Sequence, residues 1–355
     1  MSYVLGIDIG VGTVRAAICR RAAGGEPGGS GWGPALPVSL GARSPVVASA
    51  LRMTAEGTVV PTEVGQHAPD AVGGYLSRVG DPLPMHFAGG YFPAHGLTAA
   101  MARWVLDRVW QIMDEPPVRI AVSHPSSWGE GRLGLLRAGL DEADLPGTVL
   151  VTRARAVVEC HQAAGRAATG DGLFAVYRLG GSTAEVALVA PQQPGRMELL
   201  ASAELADAGG FEVDGMSPAD ARAAVQPTVD LTAALVRSRG FTPADLTAIL
   251  VGGADGSVGP VVSELLSVAF PAPVVFDPRP LMTVALGAAL AARPPVHRTM
   301  PAVAGNLQAV VGPTDVFAVL QPATPPEPEH VVTRGTAGDC PPRPPVTRVP
   351  VRAES

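Results

Sequence analysis

The chain has 355 residues, 47% of them hydrophobic, and a formal charge of −6. It is long enough for two packed domains and a tail, it has no basic run for nucleic acid to use, and its longest apolar helix candidate, Leu281 to Ala292, is too short to span a bilayer. Cys19, Cys160 and Cys340 lack zinc spacing and suit a reducing cytoplasm, and the N-terminus enters a strand without a basic region or cleavage site, so a cytoplasmic protein without a signal peptide is expected.

The first element, Tyr3 to Ile18 (YVLGIDIGVGTVRAAI), reads as a strand, a turn through Gly10, Val11, Gly12 and Thr13, and a second strand. An ordinary β-hairpin accounts for this stretch taken alone. The functional reading is a phosphate-binding turn, since glycines let an anion approach backbone N–H groups. Asp8, at the strand's end, is the candidate for holding Mg²⁺ through water. Gly24 to Gly33 reads as a flexible connection, Val46 to Leu51 and Thr58 to Val60 as strands, and Gly73 to Phe92 as irregular. Leu97 to Met113 has helical periodicity in Met101, Val105, Val109 and Met113, with Trp104 and Ile112 flanking that face. A buried strand at Val118 to Val122, a helix at Arg132 to Leu140, a strand at Val149 to Val151 and a helix at Ala154 to Arg166 follow. His124 and His161 read as structural groups, and Trp104, Trp110 and Trp128 as packing.

Leu173 to Val189 repeats the opening plan around Gly180, Gly181, Ser182 and Thr183. A strand at Met197 to Leu205 ends near Gly209-Gly210, and a helix at Ala219 to Arg239 carries Pro227, which predicts an interruption. The strand Ala248 to Val251 leads into the loop Gly252-Gly253-Ala254-Asp255-Gly256-Ser257 and a helix from Pro260. A glycine pair between strand and helix start suits a ligand lying against the helix N-terminus. After the strand Val274 to Phe276 and the closing helix comes a Pro-rich stretch. There, Asp315 to Leu320 is a strand candidate and Glu327 to Ser355 is expected to be extended or disordered.

Three glycine loops in this order resemble the superfamily of actin, sugar kinases and DnaK-type heat shock protein 70 chaperones. Val64-Gly65-Gln66-His67-Ala68, His124 to Trp128 and Ala285 to Ala289 resemble further stretches of the chaperones. The resemblance implies two ribonuclease-H-like α/β lobes with mixed sheets around a central cleft: residues 1–170, residues 171–293, and a tail at 294–355. It also implies ATP or ADP held by Gly10 to Thr13, Gly180 to Thr183 and Gly252, Gly253 and Ala254, with Asp8 as metal ligand. The family's helical roof over adenine has no counterpart, because Gly209-Gly210 runs almost directly into the next helix.

The family's catalytic positions are altered. Asp8 is retained and Glu185 follows the second turn, but Arg178 and Arg153 stand where acids would be. The catalytic lysine is impossible, since all 26 basic Lys and Arg residues are arginines. A guanidinium beside a metal site repels the metal, while arginine binds phosphate without one. The expectation is an ATP-binding-domain protein with impaired or lost hydrolysis, and a regulatory or binding role toward a protein partner. The alternatives are a working ATPase with a rearranged site, a small-molecule kinase with Asp81 as candidate base, and a scaffold that binds no nucleotide. Arg178, and less directly Arg153, are expected to pair with Asp8 or Glu185 within about 4 Å.

Overall fold

The computed structural model describes residues 2–22, 31–42, 44–66, 68–167, 172–193, 196–206, 208–213, 215–253 and 258–294. His67, Ala254 to Ser257, and the tail with its expected strand and Cys340 lie outside these residues. Met1–Arg298 forms one compact unit of mixed α/β structure.

The first sheet contains β1 (Tyr3–Ile9), β2 (Thr13–Arg21), β3 (Trp32–Val38) and β4 (Val46–Ala48). Next come β5 (Ala50–Met53), β6 (Val59–Pro61) and β7 (Val72–Gly73), which make a small sheet, and the hairpin β8 (Met85–Phe87) and β9 (Gly90–Phe92). Helix α1 (Ala94–Met113) then leads to β10 (Arg119–His124), α2 (Glu130–Glu142), β11 (Val149–Thr152) and α3 (Arg153–Ala163). The first sheet runs β11-β10-β1-β2-β3, with β4 on β2. Strand β1 is parallel to β10 and antiparallel to β2.

The second sheet holds β12 (Leu173–Leu179), β13 (Thr183–Gln193) and β14 (Arg196–Ala206), followed by the single turn α4 (Gly210–Val213) and α5 (Pro218–Ser238). It is completed by β15 (Leu246–Gly253), α6 (Val258–Ala269) and β16 (Val274–Phe276), and α7 (Thr283–Ala291) closes the unit. Its order, β14-β13-β12-β15-β16, repeats that of the first: third strand, second, first, fourth, fifth.

Side-chain alternation explains the layering. Tyr3, Leu5, Ile7 and Ile9 face α1 and α2, and Val4 faces the central layer built by α3 and α7. In β12, Phe174 and Val176 face that same central layer, while Ala175, Tyr177 and Leu179 face α5 and α6. The helices α3 and α7 cross at backbone distance: a Cβ on Gly287 would lie 1.7 Å from the Ala156 carbonyl oxygen.

Several sequence readings change. The region expected to be irregular contains the β8–β9 hairpin, whose alternation over three residues a side is too short to register as a period. Strand β3 replaces part of the expected flexible connection. Trp110 and Ile112 are exposed, since α1 buries a narrower stripe than its composition suggests. Helix α5 runs through Pro227 uninterrupted. Pro227 lies on the exposed face, opposite buried Val225, Thr228, Val229 and Thr232, and Ala223, whose carbonyl loses its helical donor, is exposed as well. Between α4 and α5 the described residues include no further element, consistent with the short connection read from the sequence. No helix among the described residues is long and apolar enough to cross a membrane.

Candidate functional site

Each sheet opens with a hairpin, and the two hairpins are built alike. In the first, Gly10 N–H donates to the Thr13 carbonyl at 2.8 Å; in the second, Gly180 N–H donates to the Thr183 carbonyl at 2.8 Å. Beyond each turn an acid faces an arginine across the ladder. Asp8 is the register partner of Arg15, and Arg178 is the register partner of Glu185. The charges are exchanged between the hairpins, acid first in one and arginine first in the other. The row Val4, Gly6, Asp8 and the row Phe174, Val176, Arg178 therefore reach the central layer with opposite signs.

Arg153, the first residue of α3, completes the arrangement. Thr152 caps that helix by accepting from Arg155 N–H at 3.2 Å, so the helix begins where β11 ends. Because β11 lies beside β10, and β10 beside β1, the Arg153 side chain arrives next to the end of β1. Its Nη2 donates to the Ile9 carbonyl at 2.8 Å. Its Nε lies 3.4 Å from Asp8 Oδ1, and its Nη1 lies 3.5 Å from Glu185 Oε2. Arg15 Nη1 is 3.7 Å and Arg178 Nη2 3.9 Å from Asp8 Oδ2. The expected pairing is thus present, with the emphasis reversed: Arg153 is the bridge and Arg178 the more distant partner.

Ser123 Oγ donates to Asp8 Oδ1 at 2.6 Å, and the Ser126 N–H donates to Glu185 Oε1 at 2.7 Å. The Ser126 hydroxyl accepts from Ala154 N–H at 3.1 Å, tying the start of α3 to the same loop. Arg153 and Asp8 are each 1% exposed, and Glu185 3%, so the network is interior. Sequence reasoning missed Arg15, Ser123 and Ser126. The signal for Arg15 was present, because Asp8 to Arg15 and Arg178 to Glu185 have the same separation across matching glycine turns.

Burial pushes the Asp8 carboxyl upward, but Arg153, Arg178, Arg15 and the Ser123 hydrogen bond outweigh it and hold the group below its ordinary value. Arg178 is pulled down to about 10, first by burial and then by the neighbouring Arg153 charge, and stays cationic at neutral pH. Three guanidinium groups thus meet two carboxylates, leaving one positive charge. Opposite charges about 4 Å apart attract by roughly 4 kcal/mol at an effective dielectric near 20, and desolvation offsets much of that.

These residues do not fit Mg²⁺. The metal prefers carboxylates and water, and a bridging guanidinium lies between Asp8 and Glu185. Among the described residues no group of His, Cys, Asp and Glu is arranged to hold a metal ion. A general base is also missing from the network. Asp8 and Glu185 each have one oxygen hydrogen-bonded and the other facing only guanidinium groups at 3.5–3.9 Å. Buried His124 has Nδ1 2.9 Å from the Pro125 carbonyl, where it donates. Its ring stacks on Trp128 with centroids 6.2 Å apart, in agreement with a structural reading. His161 Nε2 lies 3.3 Å from the Val251 carbonyl and is likewise interior. Asp81, the candidate kinase base, accepts from Arg78 at 2.8 and 2.9 Å and from Leu83 N–H at 2.9 Å, within a surface loop.

The third glycine pair ends β15. Gly252 is the register partner of Arg178, and Gly253 has φ +77°; a Cβ on Gly253 would lie 2.1 Å from the Leu179 carbonyl oxygen. Gly253 thus brings the third loop against the second hairpin, and Ala254 lies outside the described residues. The second turn is braced by Gly210, whose N–H donates to the Gly180 carbonyl at 2.7 Å. The first is braced by Ser49, whose N–H donates to the Gly12 carbonyl at 3.0 Å. Among the described residues, the two hairpin turns and the Gly252-Gly253 pair therefore lie close to the arginine–carboxylate network. No family model matches the chain, and no curated protein matches it.

Proposed function

We propose that the chain is a divergent relative of the DnaK-type branch of the actin-like superfamily, built as two ribonuclease-H-like lobes around a cleft. In this reading it binds, and does not hydrolyse, ATP or ADP. The supporting observation is Arg153: a buried guanidinium bridges the two acids that a metal-dependent hydrolase would use. Without a metal to neutralise charge, and without a base to align water, phosphoryl transfer lacks its main sources of rate. The glycine turns and the excess positive charge suit a phosphate chain that arrives without Mg²⁺. The role is then regulatory, exercised by binding a protein partner in the cytoplasm, with any effect of nucleotide transmitted as a shift in lobe angle.

Titration calorimetry with ATP and ADP, in Mg²⁺ and in EDTA, tests the reading together with a phosphate-release assay. The expected result is nucleotide affinity that Mg²⁺ does not improve and phosphate release equal to buffer. Mg²⁺-dependent release abolished by Asp8→Asn would overturn the loss of hydrolysis. Failure of either nucleotide to bind at millimolar concentration would reduce the chain to a scaffold.

A further inference from the structure

A second cluster of arginines lies away from the hairpin network, around a cavity of 490 Å³. It is lined by Leu286 and Leu290 of α7, Ala163 at the end of α3, the Trp32 end of β3, and Arg166, Arg279 and Arg293. We propose that this cavity binds a small organic anion, one carboxylate or phosphate group on a compact apolar body.

The charges support an anion. Asp277 is the lining's one acid; it is 4% exposed and already paired. Its Oδ2 takes Arg166 and the Cys160 thiol, the latter at 3.4 Å, and its Oδ1 accepts from Arg279 N–H at 2.7 Å. Arg166 is thereby spent on Asp277. Among the described residues Arg279 and Arg293 have no ion pair, although both line the cavity. Arg293 is held in place by donating from Nε to the Leu290 carbonyl at 3.0 Å, at the C-terminus of α7. With three guanidiniums against one carboxylate, the lining has an excess of two positive charges.

The remaining surface selects the body of the ligand. Leu286, Leu290 and the alanines offer no hydrogen bond, and Trp32 adds an aromatic edge, so a strongly hydrated ion such as free phosphate would leave this surface uncovered. The volume is that of small-molecule sites, which span about 300–1,000 Å³. Cys160 takes no covalent part: burial first, and Asp277 next, push its thiol up to about 12, so it stays protonated and serves as a donor. Guanidinium groups fork onto carboxylate and phosphate oxygens alike, which leaves the head group to experiment.

The test uses the full chain and three probes: octanoate, phenyl phosphate and uncharged 1-octanol, titrated calorimetrically with thermal melting in parallel. At least one anion is expected to bind with one-to-one stoichiometry, and octanol about tenfold more weakly or worse. The double variant Arg279→Gln, Arg293→Gln should weaken that anion by about tenfold or more while the protein stays folded, with a melting temperature lowered only slightly by loss of the Arg293 contact to the Leu290 carbonyl. Should the double variant fail to fold, the single variants decide, each losing about three- to tenfold. Absence of binding by both anions at millimolar concentration overturns the proposal, as does binding that survives loss of the two arginines. Because these residues are separate from the hairpin network, phenyl phosphate bound in the cavity is not displaced by ATP, whereas phenyl phosphate binding that survives the double variant and is displaced by ATP sits at the hairpins.

Discussion

Arg153 stands where helix electrostatics favour an acid, since the first turn of a helix carries partial positive charge. It is tolerated there because Asp8 and Glu185 lie within 3.4 and 3.5 Å. Arg153→Met removes the bridge and leaves two buried carboxylates without their shared partner. A loss of about 3–5 kcal/mol in urea unfolding is expected. Arg153→Glu combined with Arg178→Asp instead surrounds the site with acids, and is expected to bind Mn²⁺ measurably where the parent does not, read by titration calorimetry. The interior histidines set a pH dependence. Burial lowers the basicity of His124 and His161 below the ordinary 6.5, so the unfolded chain takes up protons before the folded one does. Their contribution is complete above about pH 6.5 and is lost as pH falls below it, by up to about 1.4 kcal/mol per pH unit for each proton taken up on unfolding. Denaturant unfolding at pH 7.5 and 5.5 should show the lower stability at pH 5.5. The double variant His124→Gln, His161→Gln should flatten that difference. Asp8, held below its ordinary value, adds stability that is lost only at more acid pH.

At the scale of elements, the hairpins and the crossing of α3 with α7 determine the site. The paired hairpins were legible because glycine turns between apolar runs have few other readings. Their exchanged charges were only half legible: Arg178 and Glu185 stood out, while Arg15 became visible once the ladders set register. The crossing was not legible, because Gly287 is one small residue in an alanine-rich helix. A Cβ placed 1.7 Å from the Ala156 carbonyl oxygen has no room, and that oxygen is backbone. Gly287→Val is expected to destabilise by about 3 kcal/mol or more, or to prevent folding, as seen in thermal melting and soluble yield. Gly134→Ala, in an open part of α2, should instead stabilise by about 0.5–1 kcal/mol, because glycine costs helix entropy.

At the scale of the molecule, side chains from one sheet are bonded directly to the loop that leaves the other. Glu185 of β13 takes the Ser126 N–H at 2.7 Å, and Ser202 of β14 donates to the Ser126 carbonyl at 3.0 Å. Glu204 accepts from Ser127 Oγ at 3.1 Å. The Ser126 amide should therefore exchange slowly with solvent deuterium in the absence of any ligand, and Glu185→Ala should speed that exchange at least about tenfold. Unchanged exchange in the variant would show that the Ser126 amide is protected without Glu185. The sequence by itself determined the α/β character, the positions of most strands and helices, and the absence of lysine chemistry, because periodicity, turn residues and composition are local properties. Only the tertiary structure decided that Arg153 bridges Asp8 and Glu185, that Arg15 and Ser123 join them, and that α5 passes through Pro227. Arg153 and Ser123 reach Asp8 from more than a hundred residues away, Arg15 reaches it through the ladder register, and Pro227 is tolerated because of the face that α5 exposes. A buried charge is stable only where the fold delivers its partner.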